Sequence, residues 1–212
     1  MNSLTERRTI AGPAGAIEVA IDAPPSVRGV VVICHPHPQH QGTMHSKVVT
    51  TLARAFTQLG AAAVRFNYRG VGASAGSYAD GIGERDDALA VVDWCRARWS
   101  DRPLYLGGFS FGGAIAISIA ARVAPSGLVT VAPPVDRLPA SLSPPTCPWV
   151  LVHADDDEIV TPKPVLDWCA KLAAPPKIVL VNGAGHFFHG RLSDITRAVD
   201  DMFGADFRGL HR

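Results

Sequence analysis

A serine between two closely spaced glycines is the first feature of this sequence that indicates chemistry. Residues 108–112 read Gly-Phe-Ser-Phe-Gly, a G-x-S-x-G pattern between an apolar run and a segment with helical spacing. A serine on a sharp strand-to-helix turn brings the residues two positions away on either side close to other backbone, where glycine fits. The alternative is a glycine-rich turn with an incidental serine, and a phosphate-binding loop is disfavoured because the G-x-x-x-x-G-K-[ST] motif is absent and no lysine lies near Gly112. The context favours Ser110 as a nucleophile.

A serine hydroxyl needs a base, and the base needs an acid that orients it. Four consecutive carboxylates occupy residues 155–158, directly after an apolar run at residues 149–154. Asp155 and Asp156 can simply terminate that run, whereas Asp157 stands just before the next helical segment. The residues favour Asp157 as the acid and leave Asp155 and Asp156 as alternatives.

The base is expected in the loop after the next apolar run, where two histidines lie three residues apart. Gly183 and Gly185 surround His186 with flexible backbone, which suits a loop that reaches across to a serine. His189 lies where the last helix begins to form and is interpreted as a surface or supporting residue. We therefore predict Ser110 as nucleophile and His186 as base.

Acyl transfer passes through a tetrahedral oxyanion, which needs two N–H donors. One is expected from Phe111, the residue after the nucleophile, and the other from the loop after the first central strand. In that loop Pro36 and Pro38 have no N–H, so His37 is the only donor between them. We predict the backbone N–H groups of His37 and Phe111 as the oxyanion hole; the alternative is that the motif only stiffens the strand exit.

The same loop reads H-x-H-x-x-H at His35, His37 and His40, which raises the possibility of a metal site. The prolines stiffen this backbone, and the aspartate that metallohydrolase motifs of this type generally carry is missing. We predict neither a metal nor a cofactor.

Six short apolar runs alternate with segments of helical spacing, which is the order of an α/β protein with a mostly parallel sheet and helices on both faces. The runs do not alternate apolar with polar residues and resemble strands buried on both faces. Residues 9–22 differ, because Thr9 and Ile10 are followed by a Gly-Pro-Ala-Gly turn and then by a segment of alternating pattern. After the turn, the apolar residues at 17, 19 and 21 alternate with residues 18, 20 and 22, and this pattern predicts an antiparallel hairpin at one edge. Since ligands bind at the carboxyl ends of parallel strands, the predicted site residues lie where chemistry is expected.

Composition narrows the function further. The 212 residues suit a single domain, residues 1–212, and the formal charge of +1 gives no electrostatic reason to bind nucleic acid or an anionic membrane. Four cysteines are too few for a disulfide scaffold, and no apolar run spans a bilayer. The polar start, residues 1–10, has no hydrophobic signal segment. We expect a cytoplasmic protein whose partner is a small molecule and whose oligomeric state the sequence leaves undetermined.

Taken together, these motifs resemble the α/β-hydrolase superfamily, and more narrowly its small bacterial members without a cap domain, which are described as carboxylesterase-like. The resemblance covers about residues 29 to 205. Its pieces are HPHP at 35–38, GTM at 42–44, KVV at 47–49, RFNYRGVG at 65–72, GFSFG at 108–112, HADDDEIVTP at 153–162 and GAGHFF at 183–188. By similarity, Asp157 occupies the acid position and His186 the base position.

The resemblance implies a serine hydrolase that cleaves carboxylic esters of short to medium acyl chain through Ser110, His186 and Asp157. Two alternatives remain open. The same triad serves amidases, peptidases and thioesterases, and a hydrolase fold can also support a non-catalytic binding protein. Arg69, in the glycine-rich block, is interpreted as a structural hydrogen-bond donor. Tyr78, Asp80 and one of Phe187 or Phe188 are candidates for the pocket wall.

Overall fold

A twisted sheet of eight strands forms the centre of the protein, which is described for residues 5–209 by a computed structural model. The strands follow the order β1-β2-β4-β3-β5-β6-β7-β8 across the sheet. Strand β2 pairs antiparallel with β1 and β4, and every neighbouring pair from β4 to β8 is parallel. The strands are β1 (Glu6–Gly12), β2 (Gly15–Asp22), β3 (Gly29–Cys34), β4 (Ala61–Phe66), β5 (Leu104–Phe109), β6 (Gly127–Val131), β7 (Trp149–Ala154) and β8 (Lys177–Val181).

Helices cover both faces of the sheet. The helices are α1 (Lys47–Leu59), α2 (Ile82–Arg98), α3 (Phe111–Val123), α4 (Pro162–Cys169) and α5 (Leu192–Gly209). Buried side chains of α1 and α5 form one core with one face of the sheet, and those of α2, α3 and α4 form a second core with the other. Because both faces are covered, every residue of β3 to β7 is buried, which explains why these strands read as continuous apolar runs. The predicted α/β fold with an antiparallel N-terminal edge is confirmed.

The last strand is the exception to the predicted burial on both faces. Four of the five residues of β8 are not fully buried, and Ile178 and Leu180 are exposed. This expectation was wrong because β8 is an edge strand, and because α4, which precedes it, is short and ends at Cys169. An eight-residue helix covers too little of the sheet to bury the outer strand.

The antiparallel hairpin at the other edge is confirmed, with Gly12 paired to Gly15 across its turn. Residues 1–4, the start of the polar N-terminal segment, lie outside the described residues, as do residues 210–212. Within residues 5–209, no helix combines the length and the apolar character that crossing a bilayer requires.

The order of the central strands decides where the site lies. Strands β3 and β5 are neighbours, so the loops that leave their carboxyl ends begin side by side. The loops after β7 and β8 emerge at the same end of the sheet, since all these strands are parallel. The topology thus brings the turn at Ser110, the segment after Cys34 and the loops that carry Asp157 and His186 to one end of the sheet.

Candidate active site

Ser110 stands alone between the end of β5 and the start of α3. Its backbone has φ 54° and ψ −123°, a conformation that residues with a side chain rarely adopt. The Ser110 N–H donates to the carbonyl of Val131 on the neighbouring strand at 2.8 Å, and the Ser110 carbonyl accepts from Gly113 N–H. The turn is therefore held by main-chain hydrogen bonds on both sides of the serine.

The glycines on either side of Ser110 are required by contact. A Cβ atom at Gly108 would lie 2.1 Å from the carbonyl oxygen of Gly112. A Cβ atom at Gly112 would lie 2.2 Å from the carbonyl oxygen of Cys34 and 2.5 Å from that of His35. The second contact also shows that the nucleophile turn packs directly on the backbone at the exit of β3.

Three side chains from three loops meet at this turn. His186 Nε2 lies 3.0 Å from Ser110 Oγ, and His186 Nδ1 lies 2.8 Å from Asp157 Oδ2. All three residues are at least nine-tenths buried. A carboxylate can only accept, so His186 Nδ1 carries the proton and Nε2 is left to accept from the serine hydroxyl. The hydrogen bonds run in the direction that a nucleophile, base and acid require.

Asp157 is fixed by its own loop as well as by His186. Its Oδ1 accepts from the N–H groups of Ile159 at 3.0 Å and Val160 at 2.7 Å. Burial raises the pKa of the Asp157 carboxyl, but the hydrogen bonds from His186, Val160 and Ile159 outweigh it and hold that pKa below its ordinary value. Asp157 is therefore ionised, as a group that orients a histidine must be.

The neighbouring candidates lie elsewhere. Asp155 Oδ1 accepts from Gly183 N–H at 2.7 Å and so joins the acid loop to the histidine loop. Asp156 is exposed, and so is His189, although the His189 side chain lines the cavity in front of the serine. Of the alternatives that the sequence left open, the structure brings only Asp157 and His186 within hydrogen-bonding distance of one another.

Two residues near the triad escaped sequence reasoning. His153, at the end of β7, is fully buried, and its Nε2–H donates to the Val160 carbonyl at 2.8 Å, which pins the loop that carries Asp157. Glu158 Oε2 accepts from the backbone N–H of His186 at 3.2 Å. Glu158 belongs to the conspicuous acidic run, and His153 directly precedes the last residue of an apolar strand. Nothing in the sequence shows that either contacts its partner.

The two amides predicted for the oxyanion hole lie on loops in contact. The His37 ring packs on the Phe111 ring with centroids 4.9 Å apart, and the backbones of the two loops meet at Gly112. Within residues 5–209, neither His37 N–H nor Phe111 N–H donates to any acceptor of the chain. Both donors are thus unengaged beside the nucleophile turn.

The three histidines of H-x-H-x-x-H do not converge on one point. His35 is buried and bonded within the protein, while the side chains of His37 and His40 line the cavity. The His37 Nδ1 atom accepts from the backbone N–H of Gln39 at 3.2 Å, and its Nε2 lies 3.2 Å from Tyr78 Oη. The imidazole of His37 therefore braces its own loop against Tyr78.

A cavity of about 460 Å³ opens in front of Ser110. Its size is in the range of small-molecule sites. Phe187 and Ile159 remain 48% and 58% exposed at its edge, whereas Phe188 is buried in the core. The residues that line it are Pro36, His37, His40, Gln41, Gly42, Ser46, Lys47, Val48, Phe109, Ser110, Ile159, His186, Phe187 and His189.

The remaining pocket candidates lie beyond Phe111. Tyr78 and Asp80 line a separate, smaller cavity of about 210 Å³, which Ser110 does not line. Arg69 donates from Nε and Nη2 to the two carboxylate oxygens of Asp87, at 3.0 and 2.8 Å, so it holds its loop to α2 as the structural interpretation expects.

Known proteins share this architecture. A lidless α/β serine hydrolase from Xanthomonas campestris superposes with a TM-score of 0.89 and 39% identity, over 96% of this chain and 95% of that one. An uncharacterized protein of Rickettsia prowazekii is 31% identical over 90% of this chain and 85% of its own length. The lysophosphatidylserine lipase ABHD12 of Gallus gallus is 35% identical over 48% of this chain, but the match spans only 26% of that larger protein.

The profile of the hydrolase family described as serine aminopeptidase, S33, matches residues 25–146, more than half of the chain. That segment contains the nucleophile turn and the segment after Cys34. The remaining triad partners follow it on the same sheet, in the arrangement described above. The chain therefore belongs to this family of α/β serine hydrolases, and its fold is that of the members without a lid.

Proposed function

We propose that the protein is an esterase that cleaves carboxylic esters of short to medium acyl chain. The observation that carries the proposal is the continuous set of hydrogen bonds from Asp157 through His186 to Ser110, with separations of 2.8 and 3.0 Å. These distances are within the range at which a base removes a proton from a nucleophile. The serine faces a cavity of suitable size for a small ester.

In the proposed reaction, His186 Nε2 takes the hydroxyl proton of Ser110 as the oxygen attacks the ester carbonyl. Asp157 keeps the His186 ring in the required tautomer and stabilises the imidazolium that forms. The carbonyl oxygen becomes an oxyanion, which accepts from the N–H groups of His37 and Phe111. The imidazolium then returns its proton to the alcohol oxygen, the alcohol leaves, and Ser110 carries the acyl group.

The second half of the reaction frees the enzyme. Water occupies the position of the departed alcohol, and His186 removes its proton as it attacks the acyl carbon. The same two amides hold the second oxyanion. When that intermediate collapses, the carboxylic acid leaves and His186 returns the proton to Ser110.

The cavity lining supports an ester over a peptide with a free amino terminus. An aminopeptidase binds a substrate ammonium, for which a carboxylate is the natural partner. Among the described residues 5–209, none that lines the cavity carries a carboxylate, and Lys47 is the only lysine or arginine in its lining. The half-exposed Phe187 and Ile159 at its edge instead offer apolar contacts to an acyl chain.

The test is a substrate panel with the wild type and Ser110→Ala. The wild type is expected to hydrolyse p-nitrophenyl acetate and butyrate faster than the matching anilides, and to react with a fluorophosphonate probe. Ser110→Ala is expected to lose at least about 10³-fold in kcat/KM and all labelling.

Ser118→Ala serves as the matched control, because Ser118 lies on the same helix and its hydroxyl only donates to the Ala114 carbonyl. Hydrolysis that survives undiminished in Ser110→Ala would refute the nucleophile. A faster reaction with thioesters or amides than with esters would replace the proposed substrate class.

A further inference from the structure

His35 is a buried histidine that the proposed reaction leaves without a role. It follows the last residue of β3, is fully buried, and has both ring nitrogens in hydrogen bonds. Its Nε2 lies 3.2 Å from the backbone N–H nitrogen of Tyr68, and its Nδ1 lies 2.6 Å from the Pro36 carbonyl oxygen. The ring is thus held from two sides by main-chain groups.

The partners fix the tautomer of His35. A backbone N–H can only donate, so Nε2 accepts from Tyr68 and carries no proton. The proton of the neutral ring must then lie on Nδ1, which donates it to the Pro36 carbonyl. Burial lowers the pKa of His35 to about 3, so the ring is neutral at ordinary pH.

The Pro36 carbonyl is on the same peptide unit as the His37 N–H. Every peptide bond among residues 5–209 is trans, so these two groups point in opposite directions. A bond that holds the Pro36 oxygen against the His35 ring therefore turns the His37 N–H away from that ring. Gly42 also packs closely on this carbonyl, since a Cβ atom at Gly42 would lie 2.1 Å from the Pro36 oxygen.

We propose that His35 is a positioning residue, which holds the Pro36–His37 peptide in the orientation that presents the His37 N–H to the oxyanion. This inference rests on the proposed function. It explains why a histidine precedes the first proline of the motif. A residue without a donor at the Nδ1 position removes the only hydrogen bond that the structure gives the Pro36 carbonyl within residues 5–209, so the direction of the unengaged His37 N–H is less well fixed.

Two substitutions separate the two ring nitrogens. The Asn side chain in His35→Asn is short and can place an N–H donor near the position of Nδ1, which preserves the bond to Pro36. The longer side chain in His35→Gln can place its carbonyl oxygen near the position of Nε2, which preserves the acceptor for Tyr68 but removes the Nδ1 donor. Both variants lose the imidazole ring, so the loss of ring packing is common to the two.

With p-nitrophenyl butyrate, His35→Gln is expected to lose about 10² -fold in kcat with KM changed less than about threefold, because loss of one oxyanion donor costs 10²–10³-fold in other enzymes. His35→Asn is expected to stay within about fivefold of the wild type. Equal losses in both variants, or no loss in His35→Gln, would overturn the proposal.

A trifluoromethyl ketone adds a readout that packing alone does not move, because its adduct with serine carries the oxyanion. Its inhibition constant is expected to rise in His35→Gln by the same factor by which kcat/KM falls, and to change little in His35→Asn. If His35→Gln is slower but its inhibition constant stays at the wild-type value, the loss of kcat has a cause other than the oxyanion hole.

The wild-type protein offers a test that needs no variant to fold. Nitrogen-15 NMR of labelled histidine is expected to show His35 as the neutral form with its proton on Nδ1 between pH 5 and 8. A proton on Nε2 would rule out the bond to Pro36. Failure of the proposed function is recognised separately, since then Ser110→Ala retains the hydrolysis that is being measured.

Discussion

The two sides of the site are built in different ways. On the nucleophile side, main chain packs on main chain, and a Cβ atom at Gly112 would lie 2.2 Å from the carbonyl oxygen of Cys34 and 2.5 Å from that of His35. On the acid and base side, carboxylates tie the loops together, and a Cβ atom at Gly183 would meet nothing within 4 Å. The difference teaches that the turn at Ser110 is held mainly by close backbone packing, whereas the loops that carry Asp157 and His186 are held mainly by side-chain hydrogen bonds.

The largest effect is expected on the acid and base side, from Asp157→Asn. The amide can still accept from Ile159 and Val160, but its NH₂ group faces His186 Nδ1 and favours the wrong tautomer. The expected result is a loss of about 10⁴-fold in kcat with little change in the unfolding midpoint. Steady-state hydrolysis of p-nitrophenyl butyrate measures it.

Glu158→Gln is the matched control for that substitution. Glu158 also contacts His186, but through the backbone N–H, so it has no influence on the tautomer. We expect less than about a tenfold loss in kcat. Equal losses of kcat in Asp157→Asn and Glu158→Gln would show that the hydrogen bond to the imidazole does not set Asp157 apart from Glu158.

A smaller effect, on the free energy of unfolding, is expected when alanine replaces one glycine on each side of the site. Gly112→Ala places a Cβ atom 2.2 Å from the Cys34 carbonyl oxygen, and backbone must shift to relieve it. We expect a loss of about 3 kcal/mol in the free energy of unfolding. Gly183→Ala meets open space, and only its positive φ of 67° costs about 1 kcal/mol.

Urea unfolding of both alanine variants checks this contrast. Equal losses would mean that the nucleophile side is no more tightly packed than the loop before His186.

A last contrast, in which no substitution is needed to see the effect, concerns how the free energy of unfolding depends on pH. His35 binds a proton in the unfolded chain below about pH 6.5 but in the folded protein only near pH 3. The unfolded state therefore holds more protons between these values, and stability is lost as pH falls through this window. At full difference the contribution of His35 to the slope is about 1.4 kcal/mol per pH unit, and His35→Asn is expected to remove this contribution.

His45→Asn is the control for this slope, since His45 is exposed. Unfolding of the wild type and both variants by urea at pH 4, 5 and 6 separates the contributions. A slope that persists undiminished in His35→Asn would show that His35 is not buried in the neutral form.

Much of this structure could be predicted from the sequence, for physical reasons. A strand covered by helices on both faces must be apolar throughout, so β3 to β7 were visible as runs. A parallel sheet places the ends of these strands together, so a serine, an acid and a histidine that each follow a strand were expected to meet. The glycines around Ser110 marked a close approach before any distance was known.

Other features depend on contacts between distant parts of the chain and leave no pattern. The run at residues 177–181 is as apolar as its neighbours, and only the strand order shows that it lies at an edge. The bonds of His153 to Val160 and of His37 to Tyr78 join residues that nothing in their spacing connects. The role of His35 likewise depended on knowing which backbone groups its ring reaches.

The backbone conformation of Ser110 has a consequence for the evolution of this protein. Natural selection for a stable chain alone would favour glycine at this position, since glycine adopts a positive φ without penalty. A serine there makes the folded protein less stable than a glycine would. A lineage that no longer needs the hydroxyl therefore gains stability when glycine replaces the serine. The serine on this turn is therefore explained by the proposed use of its hydroxyl and not by any gain in stability.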